Sequence, residues 1–92
     1  MKPIQPETLR CWDNGGKTAD RYTVIPPRWT ARDWRERGGL WNCIGASAEP
    51  FHPQGFGQHC TATPGGHLGR RVPFASLPPD VRRFALQSFV NP

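Results

Sequence analysis

Short apolar bursts cut by glycine and proline, rather than long periodic runs, organise this chain. Residues 8–12 are a brief mixed segment followed by Asp13-Asn14-Gly15-Gly16, a strong turn signal because Asn-Gly tolerates positive φ. Arg21-Tyr22-Thr23-Val24-Ile25 then gathers β-branched and aromatic residues before Pro26-Pro27 stops them. The pattern predicts a β-hairpin over residues 8–12 and 20–25, with Tyr22 and Val24 on one face and Thr23 and Ile25 on the other. A third strand is read at 40–45, with Leu40, Asn42 and Ile44 opposite Trp41 and Cys43. Residues 46–66 read as turns, an ordered loop pinned by Phe51 and Phe56. A fourth strand is expected at 68–74, with Leu68, Val72 and Phe74 on one side and Arg71 on the other.

The last element has the clearest period. Leu77-Pro78-Pro79-Asp80 opens a helix, since proline is accepted in the first turn and Asp80 there meets the positive end of the macrodipole. Leu77, Val81, Phe84, Ala85 and Phe89 fall at helical spacing and make one apolar stripe, with Arg82 and Arg83 pointing away from its centre. The expected fold class is α+β: one domain over residues 1–92, a small antiparallel sheet of three to four strands packed by one C-terminal helix, with long ordered loops.

Composition narrows the function classes. Ninety-two residues, 36% hydrophobic, with ten glycines and eleven prolines, leave room for one modest core and exclude a multi-domain enzyme or a long bundle. No stretch approaches the roughly 18 apolar residues of a membrane span, and the start MKPIQPETLR does not read as a signal peptide. The chain is therefore read as soluble and cytosolic, with reduced thiols expected for Cys11, Cys43 and Cys60, which form no CxxC pair. The formal charge is +5 and ten of the twelve cations are arginine, which favours an acidic partner: nucleic acid or an acidic protein face.

Residues 28–39 concentrate this character, interleaving Arg28, Arg32, Arg35 and Arg37 with Trp29 and Trp34. Such a composition can grip phosphates and stack on bases, or simply form a solvated face partly neutralised by Asp33 and Glu36. Arg70-Arg71 and Arg82-Arg83 add two further pairs that extend the same positive surface if the last strand and helix lie beside it. Other chemistry is weaker. His52, His59 and His67 with the three cysteines match no usual zinc spacing, so no metal and no cofactor is expected. His59-Cys60 adjacency is no sign of a dyad, no carboxylate pair stands at short spacing, and no phosphate loop or GxSxG occurs. The chain is read as a non-enzyme.

The stretch from Asp13 to Val24 (DNGGKTADRYTV), the middle GASAEPFHPQGF and the ending HLG…LPPDV together resemble a group of short, uncharacterised phage and prophage proteins. The resemblance spans most of the chain apart from residues 1–7 and 28–39. It implies a phage origin and, by analogy with small phage proteins that disable host defences, an anti-CRISPR-like role. The expected function is thus a phage-encoded, non-enzymatic inhibitor acting in the host cytoplasm. It would bind a host protein or ribonucleoprotein complex, a CRISPR effector among the candidates, by steric and electrostatic occlusion with phosphate contacts where the target holds RNA. The expected binding residues are Arg28, Trp29, Arg32, Trp34, Arg35, Arg37, Arg70, Arg71, Arg82 and Arg83. The rival is a small basic protein acting directly on DNA or RNA.

Overall fold

The computed structural model describes residues 4–28 and 41–90. β1 (Arg10–Asp13) and β2 (Tyr22–Ile25) form an antiparallel hairpin that registers Arg10 with Ile25 and Asp13 with Tyr22. In the connection, Asp13 Oδ1 accepts the Gly15 N–H and Asn14 Oδ1 accepts those of Gly16 and Lys17. Those bonds hold Gly15 and Gly16 at φ +77° and +87°, where side-chain-bearing residues are strained. β3 (Trp41–Ala46) pairs with β2, β4 (Gly57–Ala62) runs along all of β3, and β5 (Arg70–Val72) returns to the far side of β1. The sheet order is β4-β3-β2-β1-β5, antiparallel throughout.

The sheet therefore has five strands, where three to four were expected. The added strand, Gly57–Ala62, lies within residues 46–66, where the sequence predicts turns and an ordered loop. Gly57-Gln58-His59-Cys60-Thr61-Ala62 alternates only weakly, through Cys60 and Ala62, and its extended state comes from pairing with β3 and from the Cys43–Cys60 disulfide across register partners. That bond also corrects the expectation of reduced thiols at these two positions. Cys11 is free and buried.

The strand expected at 68–74 is shorter and its face assignment changes. Leu68 ends a 3-10 turn (Gly66–Leu68) and packs with the cluster around Trp12 and Ile25, whereas Val72 and Phe74 pack on the opposite cluster. Gly69 makes the switch. It sits at φ +117°, and a Cβ there would come within 2.4 Å of the Asp13 carbonyl oxygen, so glycine is required both for the conformation and for the close approach.

A 3-10 turn (Phe74–Ser76) leads to α1 (Pro79–Ala85), with Asp80 in its first turn, and the chain continues through Leu86–Val90 with π-type hydrogen bonding. Leu77, Val81, Ala85 and Phe89 are buried against Cys11, Tyr22, Val24, Ile44 and Ala46, while Phe84 is half-buried at the margin. One face of the sheet is thus closed by the C-terminal helix. Trp12, Ile25 and Cys43 form a separate cluster on the other face, joined by Trp41, Cys60, Ala62 and Leu68.

Candidate binding surface

The face opposite α1 carries paired arginine and tryptophan. Trp12 and Arg71 are register partners across β1 and β5, and the Arg71 guanidinium stands 4.9 Å from the Trp12 ring centroid. Arg10 lies two residues before Trp12 and so shares its face; its guanidinium stands 4.7 Å over the Trp41 ring. Each stack shields an indole from water while keeping a cation at the surface.

Electrostatics make this pair of stacks unusual. Arg10 donates a hydrogen bond to the Pro26 carbonyl, but its Nε is buried with no hydrogen-bond partner among the described residues. Burial, and then the neighbouring positive charge of Arg71, hold the Arg10 guanidinium below its usual range, though arginine stays charged at any physiological pH. No carboxylate among the described residues forms an ion pair with either group. An anion placed between the two would relieve their repulsion and receive forked, charge-assisted hydrogen bonds. Arg71 also borders a groove of about 520 Å³ lined by Glu7, Leu9, Val72, Pro73 and Phe74.

Of the residues expected to bind, those described are divided between the two faces of the sheet. Trp29, Arg32, Trp34, Arg35 and Arg37 lie outside the described residues, and Arg28 is half-buried and engaged with a partner. Arg71 is on the tryptophan face. Its neighbour Arg70 registers with Asp13, whose parity is that of Cys11 on the helix side. Arg82 and Arg83 ride on α1, on the helix-bearing side of the sheet. Arg83 stacks 4.3 Å over Phe51 and pairs with Asp80 at 3.5 Å, and the buried Arg82 Nε lacks a hydrogen-bond partner among the described residues. Among the described residues the two arginine pairs do not share one face: successive residues of β5 point to opposite sides of the sheet, and α1 lies on only one of them.

Arg10, Trp12 and Trp41 are the functional candidates that sequence reading missed. Strand alternation already puts Arg10 with Trp12 and Trp41 with Cys43. The missing information is the sheet order, which brings β5 beside β1 and lets Arg10 reach across to Trp41. Phe51, expected to pin its loop, is 43% exposed and meets Phe84 edge-on; the loop is closed by Ser47, whose N–H donates to the Phe56 carbonyl and whose Oγ accepts the Phe56 N–H.

Two chemical options can be placed. His59 Nε2 and Ser88 Oγ share a hydrogen bond at 3.0 Å, with the imidazole edge-on to Phe84; among the described residues no carboxylate bonds the other ring nitrogen, the third member that an activated serine pair uses. No three His, Cys, Asp or Glu side chains gather as a metal site among the described residues. Nor is any helix there long and apolar enough to cross a membrane. Comparison with protein-family models, with curated proteins and with solved structures finds no match to this chain.

Proposed function

We propose that this chain is a non-catalytic binding protein that engages an acidic partner through the face opposite α1. Arg10 and Arg71 supply the charge and Trp12 and Trp41 the rigid aromatic platform. The observation that supports it is the juxtaposition of two tryptophan-stacked guanidiniums, one with a buried unpartnered Nε, with no described carboxylate paired to either. Arginine and tryptophan are the residues that dominate binding hot spots. Taken with the resemblance to small phage proteins, the proposed role is inhibition of a host defence complex in the host cytoplasm. The chain would occlude an acidic or RNA-bearing surface of that complex, and need perform no reaction there.

The test is capture of partner from host lysate, with and without nuclease, by the wild type and by Arg71→Glu and Arg83→Glu. Expected is loss of capture for Arg71→Glu alone, with a melting curve shifted by no more than about 1 kcal/mol, the size of one surface cation–π contact. Equal loss in both variants would show that the tryptophan face has no special part. Direct nucleic-acid binding predicts a different result: submicromolar affinity of the free protein for a bare duplex, falling about 10³-fold or more from 50 to 200 mM salt if six or more phosphates are contacted. Weak binding to naked nucleic acid is expected instead.

A further inference from the structure

The two edges of the sheet are built differently. β5 is three residues long, two of them arginine, and is followed at once by Pro73. Short length, charge and proline are the devices by which proteins keep an edge from pairing. β4 at the other edge is six residues long and carries no Lys, Arg, Asp, Glu or Pro. Gly57, Gln58, His59 and Thr61 are exposed, and β3 is the only strand β4 pairs with among the described residues. The Cys43–Cys60 bond ties its middle to β3, so the outer row of N–H and C=O groups is held extended. Phe51, the exposed large hydrophobic residue among those described, lies at this same edge: its ring meets Phe84 edge-on at 5.9 Å, and Phe84 in turn packs close to Gly57.

We infer that β4 is a self-association edge, and that its occupant is β4 of a second copy of this chain, paired antiparallel about a two-fold axis normal to the sheet. Three features select a second copy. The strand is uncharged, so no like charges meet directly across the junction, whereas the +5 charge of the chain directs acidic partners to its arginine-bearing surfaces. Identical strands match in length, so every outer N–H finds a C=O without overhang. Such an axis preserves faces, so the sheets become continuous with both C-terminal helices on one side. The Phe51–Phe84 pairs then stand at the two ends of the junction on that side, where they add apolar area to the hydrogen-bonded strands. A closed two-fold contact of this kind stops at the dimer, because the β5 edges left outside are the blunted ones.

Sedimentation velocity on the full, oxidised chain from about 1 μM to about 1 mM tests the inference. Expected is a mass that rises with concentration from 10.3 kDa toward twice that value. Added salt should promote the association, because it screens repulsion between two positive copies; anion binding by Arg10 and Arg71 responds to salt in the opposite sense, so the two surfaces are separable. The double variant Gln58→Lys/Thr61→Lys, and separately Gln58→Glu/Thr61→Glu, should each stay monomeric with an unchanged melting curve, and mixing them should restore a dimer. A monomer at every concentration overturns the inference and leaves β4 to an extended segment of another protein. A dimer that both charge variants preserve overturns it in favour of a different interface. If the charge variants melt early, amide hydrogen exchange of the wild type replaces them: the outward N–H groups of β4 should gain protection as concentration rises, and exchange that does not change with concentration overturns the inference as well.

Discussion

Cys11 and Trp12 are neighbours on β1 and end in opposite environments. Cys11 is sealed beneath α1 among Val24, Ile44, Val81 and Ala85, and burial pushes its thiol up to about 12. Trp12 is equally shielded, but what stands over its ring is the guanidinium of Arg71. The helix-bearing face is closed by aliphatic packing, which is non-directional and roughly proportional to area. The opposite face is closed by aromatic rings, cations and a disulfide, each of which depends on a particular partner. A face finished with charge keeps a surface that an anion can recognise; a face finished with leucine and valine does not. The same strands thus carry an aliphatic core on one side and the proposed recognition surface on the other, and the alternation of the pleat is what separates the two.

The largest effect should come from emptying the helix-bearing face. Ile44 is fully buried there between the sheet and α1, so Ile44→Ala should lower stability by about 2–5 kcal/mol, read from the denaturant midpoint. Retention of the wild-type midpoint would mean that α1 does not close this face. Helix and hairpin expectations were readable because both rest on local periodicity: the stripe from Leu77 to Phe89 and the run Tyr22–Ile25 need no distant partner to be recognised. β4 was not readable for the opposite reason. Gln58, His59 and Thr61 have no pattern of their own and become a strand only because β3 lies alongside. The Arg10–Trp41 and Arg71–Trp12 stacks were hidden in the same way, since strand order is a property of the whole sheet. An arginine-rich insertion draws attention in a sequence; an arginine that must find its tryptophan two strands away does not.

The second effect tests how far the tryptophan face depends on its cross-link. Cys43 and Cys60 are 17 positions apart, and a closed loop of that size stabilises by about 3 kcal/mol in the chain-entropy account. Reduction, or Cys43→Ser/Cys60→Ser, should therefore lower the melting transition while leaving Ile44 and α1 packed. The distinguishing readout is tryptophan fluorescence, because Trp12 and Trp41 share the cluster with Cys43. A reduced protein with unshifted emission and melting would show that the face is held by the stacks alone. Wherever thiols are kept reduced, the size of this effect decides how much of the tryptophan face survives. Thiol titration gives a direct check: native oxidised protein should yield no reactive cysteine at pH 8, since Cys11 is buried and protonated well above that pH, and unfolding should release one.

The smallest effect lies at the margin between the faces. Asp13 accepts hydrogen bonds from Arg21 Nε at 2.9 Å and from a second guanidinium nitrogen at 3.2 Å. That bond above all, with help from the Gly15 N–H and the charges of Arg21 and Arg70, holds its carboxyl below the usual range. A carboxylate with a depressed folded pKa adds stability that is fully present above its unfolded value of about 3.9 and disappears as pH falls through the lower folded value. The wild type should therefore lose stability on acidification through this window more steeply than Asp13→Asn, and the two curves should converge at the acid end. Arg21 is well exposed, so solvent screens the pair and the difference should amount to a fraction of a pH unit in the acid midpoint. Asp13 is also the register partner of Arg70, and its backbone carbonyl lies against Gly69, so the same variant probes whether Arg71 stays over Trp12. If Asp13→Asn leaves the acid midpoint in place but abolishes capture of the acidic partner, the carboxylate acts by positioning the β5 edge. If it shifts the midpoint and spares capture, the Asp13–Arg21 pair belongs to stability alone, and the proposed recognition surface ends one residue earlier in the strand, at Trp12.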